Sequence, residues 1–179
     1  MKKLLLVIAA LPLVACFEVD DFGAYWDKAG TDKRLVGTWK QTSSTSDQSE
    51  QTVDPSFDDS LRFAAKGGAF EISLNGAPLY PVKTVKVGRY DFLVVQPKKG
   101  VLQRYTVSGH TLQFCDDDAD AIEEFIKTHD QQTVNVQKTR SEGNYLEISL
   151  LDDRVFTILS KVPDTKAYWV CELRYERIP

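Results

Sequence analysis

The chain has 179 residues, 42% of them hydrophobic, with 22 Lys and Arg against 26 Asp and Glu for a net charge of −4. This is enough for one domain with a real core. The acidic balance argues against a nucleic-acid partner, and no stretch after the first fifteen residues is apolar enough to span a bilayer.

At the amino terminus, Lys2 and Lys3 precede an apolar run, Leu4 to Leu13, with the small Ala15 before Cys16. The layout is that of an export signal, too short and wrongly flanked for a spanning helix. The box Leu13-Val14-Ala15-Cys16 resembles the bacterial lipoprotein signal. That resemblance implies a diacylglyceryl thioether on Cys16, cleavage before it and acylation of the new amino group. Two or more acyl chains, palmitate among them, hold a protein stably on a membrane, so the expected partner is the membrane, through Cys16. The expected organisation is a signal peptide over 1–15, a lipid-anchored tether with a short helix over 16–33, and a barrel over 34–179. Loss of Lys2 and Lys3 takes the net charge from −4 to −6, which repels an anionic surface. In Gram-negative lipoproteins an Asp after the cysteine favours inner-membrane retention. Phe17 stands there, which implies an outer-membrane protein facing the periplasm if the host is Gram-negative.

Further along, Phe22, Tyr25, Trp26 and Ala29 recur on one helical face. The stripe reads as packing beneath the domain, with membrane contact as the other reading. From Leu35 the dominant period is two. Strand-like runs occur at 35–42, 60–65, 69–74, 82–87, 90–96, 101–107, 111–115, 145–151, 155–160 and 167–177. Turn signals separate them, among them Lys66-Gly67-Gly68, Asn75-Gly76 and Ser108-Gly109. Residues 43–57 read as a long polar loop. One helix is expected over 120–129, with Ile122, Phe125 and Ile126 inward and Asp120 with Glu123 as a capping box. The sum is an all-β fold: one antiparallel up-and-down β-barrel with a short N-terminal helix and one late helix.

With Cys16 taken by lipid, Cys115 and Cys171 remain as a pair in an oxidising compartment. A bond between them would close about 56 residues and contribute about 4 kcal/mol on a chain-entropy model. Cys171 shares a face with Trp169, Leu173 and Tyr175, whereas Cys115 is out of phase with Leu112 and Phe114. The bond therefore requires an end or a bulge in the strand near Asp116.

Leu35-Val36-Gly37-Thr38-Trp39 follows a short helical segment and opens the first long strand. It resembles the Gly-x-Trp signature of lipocalin-like barrels. The resemblance implies that Trp39, with Gly37, plugs one end of the barrel under a basic residue from near the last strand. Arg174 is the residue expected there, with Arg177 the alternative. The polar loop after that strand would cover the other end.

Catalytic residue types are sparse. His110 lies in a turn and His129 closes the late helix, where the dipole favours it. No hydrolase elbow, zinc-protease helix or phosphate loop is present. An EF-hand frame from Asp116 would use Asp118 and Asp120, but needs glycine where Ala121 stands and glutamate where Lys127 stands. The acidic stretch reads as a solvated loop entering a helix. Arg104 and Tyr105 alternate, so only one faces inward. No catalytic residue, cofactor or metal is expected. The leading expectation is a non-enzymatic module for a small apolar or amphipathic ligand. The alternative is a structural or protein-interaction lipoprotein with a filled barrel, its protein partner unidentified.

Overall fold

The structure is a computed structural model that describes residues 17–44, 59–95, 98–129, 136–139, 145–148 and 152–179. Cys16, the signal over 1–15 and most of the polar loop lie outside the described residues. In chain order the elements are β1 (Phe17–Asp21), α1 (Ala24–Lys28), a 3-10 turn (Lys33–Leu35), β2 (Gly37–Ser44), β3 (Ser60–Lys66), β4 (Ala69–Leu74), β5 (Ala77–Val87) and β6 (Tyr90–Val95). Then come β7 (Lys98–Ser108), β8 (Thr111–Asp117), α2 (Ala119–His129), β9 (Val136–Thr139), β10 (Tyr145–Ile148), α3 (Asp153–Leu159) and β11 (Trp169–Ile178).

Strands β2 to β8 run in sequence order around a closed antiparallel barrel. The eighth strand, β11, pairs with β8 on one edge and β2 on the other. Closure also needs β6 to meet β7, from Asp91 opposite Tyr105 to Val95 opposite Val101. Alternation turns one residue in two inward, and the inward set is mostly apolar and aromatic, led by Trp39, Phe63, Phe70, Tyr105, Phe114 and Tyr175, with the buried Gln103 in the same phase of β7. Asn75 and Gly76 both have positive φ, 50° and 80°, as a two-residue hairpin between twisted strands requires.

A second core lies on the outer face of the barrel. Along one edge of β7, Arg104–Ser108 pair with β8, and Lys98–Leu102 pair with β1 instead. β1 then pairs in parallel with β10, which pairs with β9. Against this extension pack Tyr90, Phe92 and Val94 of β6, Ile122 and Ile126 of α2, and Val155 and Leu159 of α3. α1 joins them: Tyr25 stacks on Phe156 at 4.1 Å, and Phe22 is wholly buried.

Several expectations need correction here. Residues 17–21 are not a tether but a strand with both edges paired, and Phe17 and Val19 are core residues. Five residues alternating between apolar and acidic are too short a run to stand out before tertiary pairing selects them. The run 155–160 is helical, not extended. Its buried residues Val155, Phe156, Ile158 and Leu159 have helical spacing, and the Asp152 carboxylate accepts from the backbone of Arg154 and Val155. The β-branched Val155, Thr157 and Ile158 had suggested a strand. The late helix begins one residue earlier than expected, and Asp118, not Asp120, accepts from the Ala121 N–H. β9 carries no period strong enough to read.

The Cys115–Cys171 disulfide is present. Val170 lies opposite Asp116, but Leu173 lies opposite Phe114, so β11 carries one residue too many at the bond. That slip reverses the face of everything before it. Trp169 therefore points to the outer core while Leu173 and Tyr175 point into the barrel.

If β1 is part of the fold, Phe17→Ala in the soluble domain is expected to cost about 3–5 kcal/mol. Equilibrium urea denaturation measures this, and an unshifted midpoint would return residues 17–21 to a tether.

Candidate functional site

At one end of the barrel Trp39 is completely buried, and its indole N–H donates to the Leu35 carbonyl at 2.8 Å. The guanidinium of Arg177 lies 4.5 Å from the centre of its ring. Arg177 also donates through Nη2 to the Arg34 carbonyl. Gly37 has φ 135°, a value that side chains disfavour, as the chain turns from the 3-10 segment into β2. Arg174 is elsewhere. It is one step out of phase with Tyr175 and Arg177, lies outside the barrel, and donates to Glu176 at 3.3 Å. The basic residue over Trp39 is thus Arg177 and not Arg174.

A polar clasp adjoins this plug. The Asp32 carboxylate accepts from the Arg34 backbone at 2.9 Å, from the Arg34 guanidinium at 2.6 Å and from the Tyr105 hydroxyl at 2.9 Å. Arg34 reaches on to Asp91 at 2.6 Å. Burial alone would raise the Asp32 pKa, but the hydrogen bonds from Arg34 and Tyr105 outweigh it and hold the carboxyl below its usual range. Burial first, and then the neighbouring Asp32 charge, pushes the Tyr105 phenol up. Hydrogen bonds to Asp32 and Asp91 raise Arg34 further. The Arg34 cation and the neutral Tyr105 phenol thus favour the ionised Asp32 carboxylate. The local pair Asp32-x-Arg34 was the clasp's one trace in the sequence.

Above the plug the inward side chains are closely packed. Phe63 meets Phe70 edge-on at 5.6 Å, and Phe114 meets Tyr175 likewise at 5.7 Å. Trp39, Phe63, Phe70, Leu112 and Phe114 are wholly or almost wholly buried, and Leu79, Val101 and Val107 pack against this cluster half-buried. Two shallow hollows occur on the outside. One, of about 220 Å³, is lined by Arg62, Ala64, Glu71, Ile72, Ser73 and Pro78. Another, of about 250 Å³, lies between the end of α2 and α3, beside His129, Arg154 and Lys161.

Tyr105 faces inward and Arg104 outward. Arg104 is 3% exposed, with its guanidinium 4.3 Å from the Tyr90 ring and 4.6 Å from the Trp169 ring, and it pairs with Asp164 at 2.7 Å. The Tyr90 hydroxyl donates to the Val162 carbonyl at 2.5 Å. Together these bonds fasten the segment between α3 and β11 to the barrel wall.

The remaining candidates do not converge. His110 lies in the turn from β7 to β8, while His129 stacks on Phe125 at the end of α2. Among the described residues no group of three or more His, Cys, Asp or Glu is placed to hold a metal. Within the acidic stretch Asp117 stands out. Its Oδ2 is sealed from solvent without a hydrogen-bond partner among the described residues, and burial raises its pKa to about 8, with Asp116 and Asp118 adding to the rise.

Comparison with protein-family models, curated proteins and solved structures finds no match.

Arg177→Ala is expected to cost about 1–3 kcal/mol in a denaturation experiment, whereas the outward Arg174→Ala stays within about 0.5 kcal/mol. Equal effects would remove the distinction between them. Asp117 gives a pH signature. Its folded pKa of about 8 lies above the ordinary 3.8, so the folded state holds the extra proton between those values. Stability contributed there falls as pH rises through that window. Asp117→Asn is expected to flatten the decline in melting temperature from pH 5 to pH 8, and an unchanged slope would show that Asp117 titrates normally.

Proposed function

We propose that this protein is a lipid-anchored envelope lipoprotein, held by acyl chains on Cys16, whose filled barrel is a non-enzymatic scaffold meeting protein partners through its surface. In a Gram-negative host its place would be the outer membrane, facing the periplasm. The observation that supports the scaffold reading is the burial of the inward side chains. Trp39, Phe63, Phe70 and Tyr105 are each no more than 1% exposed. Eight-stranded barrels are wide enough either to be filled by their own side chains or to hold one small ligand, and such burial favours the first. A carrier of apolar ligands would need several of these rings to leave their packed positions.

The anchoring reading is supported by the lysines, the short apolar run and the Leu-Val-Ala-Cys box before β1. Arg177 over Trp39 at the base of a closed barrel supports a likeness to lipocalin-like proteins. That likeness concerns architecture, and activity does not follow from it.

The outer face of β2 to β4 contributes no residue to the second core. Lys40, Arg62, Lys66 and Glu71 are exposed there, a mixed-charge surface suited to a polar partner.

The test has two arms. The soluble domain without Cys16 is expected to give no saturable signal with environment-sensitive apolar fluorophores. Saturable binding competed by fatty acids would favour the carrier reading. In cells, Cys16→Ser is expected to move the protein out of the detergent phase. Unchanged membrane association with residues 1–15 removed would reject the anchor.

A further inference from the structure

Cys16 is followed directly by Phe17, and Phe17 is no part of a linker. It is 0% exposed, sits opposite Leu102 of β7 on one edge and Leu146 of β10 on the other, and meets Trp169 edge-on at 6.3 Å. Neighbouring Cα atoms are about 3.8 Å apart. Covalent geometry therefore gives a lipid on Cys16 a reach of one residue from a strand locked on both edges.

Resting on the lipoprotein reading above, we propose that the anchor is built into the sheet and that the bilayer holds the domain in one orientation. The β7–β8–β1 side of the barrel lies toward the membrane and the outer face of β3 and β4 away from it. The barrel order sets the geometry. Going round β2, β3, β4, β5, β6, β7, β8 and β11, β3 stands opposite β7 and β4 opposite β8. The start of β1 takes over the edge of β7 where β8 leaves it, since Arg104 pairs with Cys115 and Leu102 with Phe17.

Charge sets how closely that side approaches. Phe17 and Val19 face the second core, which leaves Glu18 and Asp20 exposed on the other face of β1. Acidic groups beside the attachment point are repelled by anionic lipid within a Debye length. The covalent link keeps them close, so the domain is held at short range without lying flat. The exposed face of β2 to β4 is thereby offered to partners away from the bilayer. A long flexible leader would give up this control, because the domain would then sample every orientation.

The experiment uses the full lipidated chain in phosphatidylcholine–phosphatidylglycerol vesicles containing a rhodamine-labelled lipid. The chain has three cysteines. With Cys16 in a thioether and Cys115 bonded to Cys171, an introduced cysteine is the one free thiol. A donor fluorophore is placed at Glu18→Cys or at Arg62→Cys, both exposed positions. Energy transfer to the membrane is expected to be several-fold stronger from position 18. In a second pair of proteins, roughly twelve Gly and Ser residues are inserted after Cys16, behind an added Phe that keeps the residue next to the lipid unchanged. A flexible insert of that length spans about 20 Å, and the two positions are then expected to give similar transfer. A chain that fails to incorporate labelled palmitate overturns the lipoprotein reading and this proposal with it. Equal transfer from positions 18 and 62 in a palmitate-labelled chain without the insert overturns the fixed orientation alone. So does a difference that survives the insert.

Discussion

The fold depends on the double pairing of β11. This last strand bonds to β8 along one edge and to β2 along the other, and without it the meander from β2 to β8 is an open sheet with two bare edges. Its extra residue at the disulfide then gives one strand two tasks. Trp169, before the slip, supplies the outer core with its largest ring. Leu173, Tyr175 and Arg177, after it, fill and cap the barrel. The Cys115–Cys171 bond sits at the slip and ties β11 to β8 where the ladder is weakest.

One buried and one half-buried cation show how the molecule handles charge against its aromatic rings. Arg104 lies over the adjoining Tyr90 and Trp169 rings and pairs with Asp164, and Arg177 lies on Trp39 while donating to a carbonyl. An unpaired buried charge costs several kcal/mol, and ring faces with directed acceptors offset much of that cost. Each cation fastens a different piece of chain to the barrel. Arg104 holds the segment leading into β11, and Arg177 holds the 3-10 turn leading into β2. Asp32, Arg34, Asp91 and Tyr105 complete the second attachment with a hydrogen-bonded cluster.

The burial of the inward rings moves attention from the interior to the surface and to the way the surface is held. The outer core covers one side of the barrel, and β1 brings the proposed anchor to that side. The mixed-charge face of β2 to β4 remains opposite. Orientation and accessible face thus follow from the same strand exchange on β7, where β8 leaves the edge and β1 takes it up.

By itself the sequence determined the barrel. Period-two alternation between Gly and Asn-Gly turns is a local property, since each side chain's face follows from its neighbours. Its Gly-x-Trp resemblance pointed to Trp39, which is buried under Arg177, and it paired Cys115 with Cys171 on condition of an end or bulge near Asp116, whereas the extra residue stands across the ladder in β11. What it left open was decided by contacts distant in the chain. Arg177 rather than Arg174 covers Trp39 because the phase of β11 after the slip is set by its partners. Residues 17–21 are a strand because β7 runs past the end of β8 and β10 arrives on the other side. Val155–Ser160 is a helix because four buried side chains and the Asp152 cap outweigh a weak β preference. The interior volume was equally invisible in advance, since alternation says which residues point inward but not how much space they enclose. Only the closed barrel sets that volume, by strand number and tilt acting together.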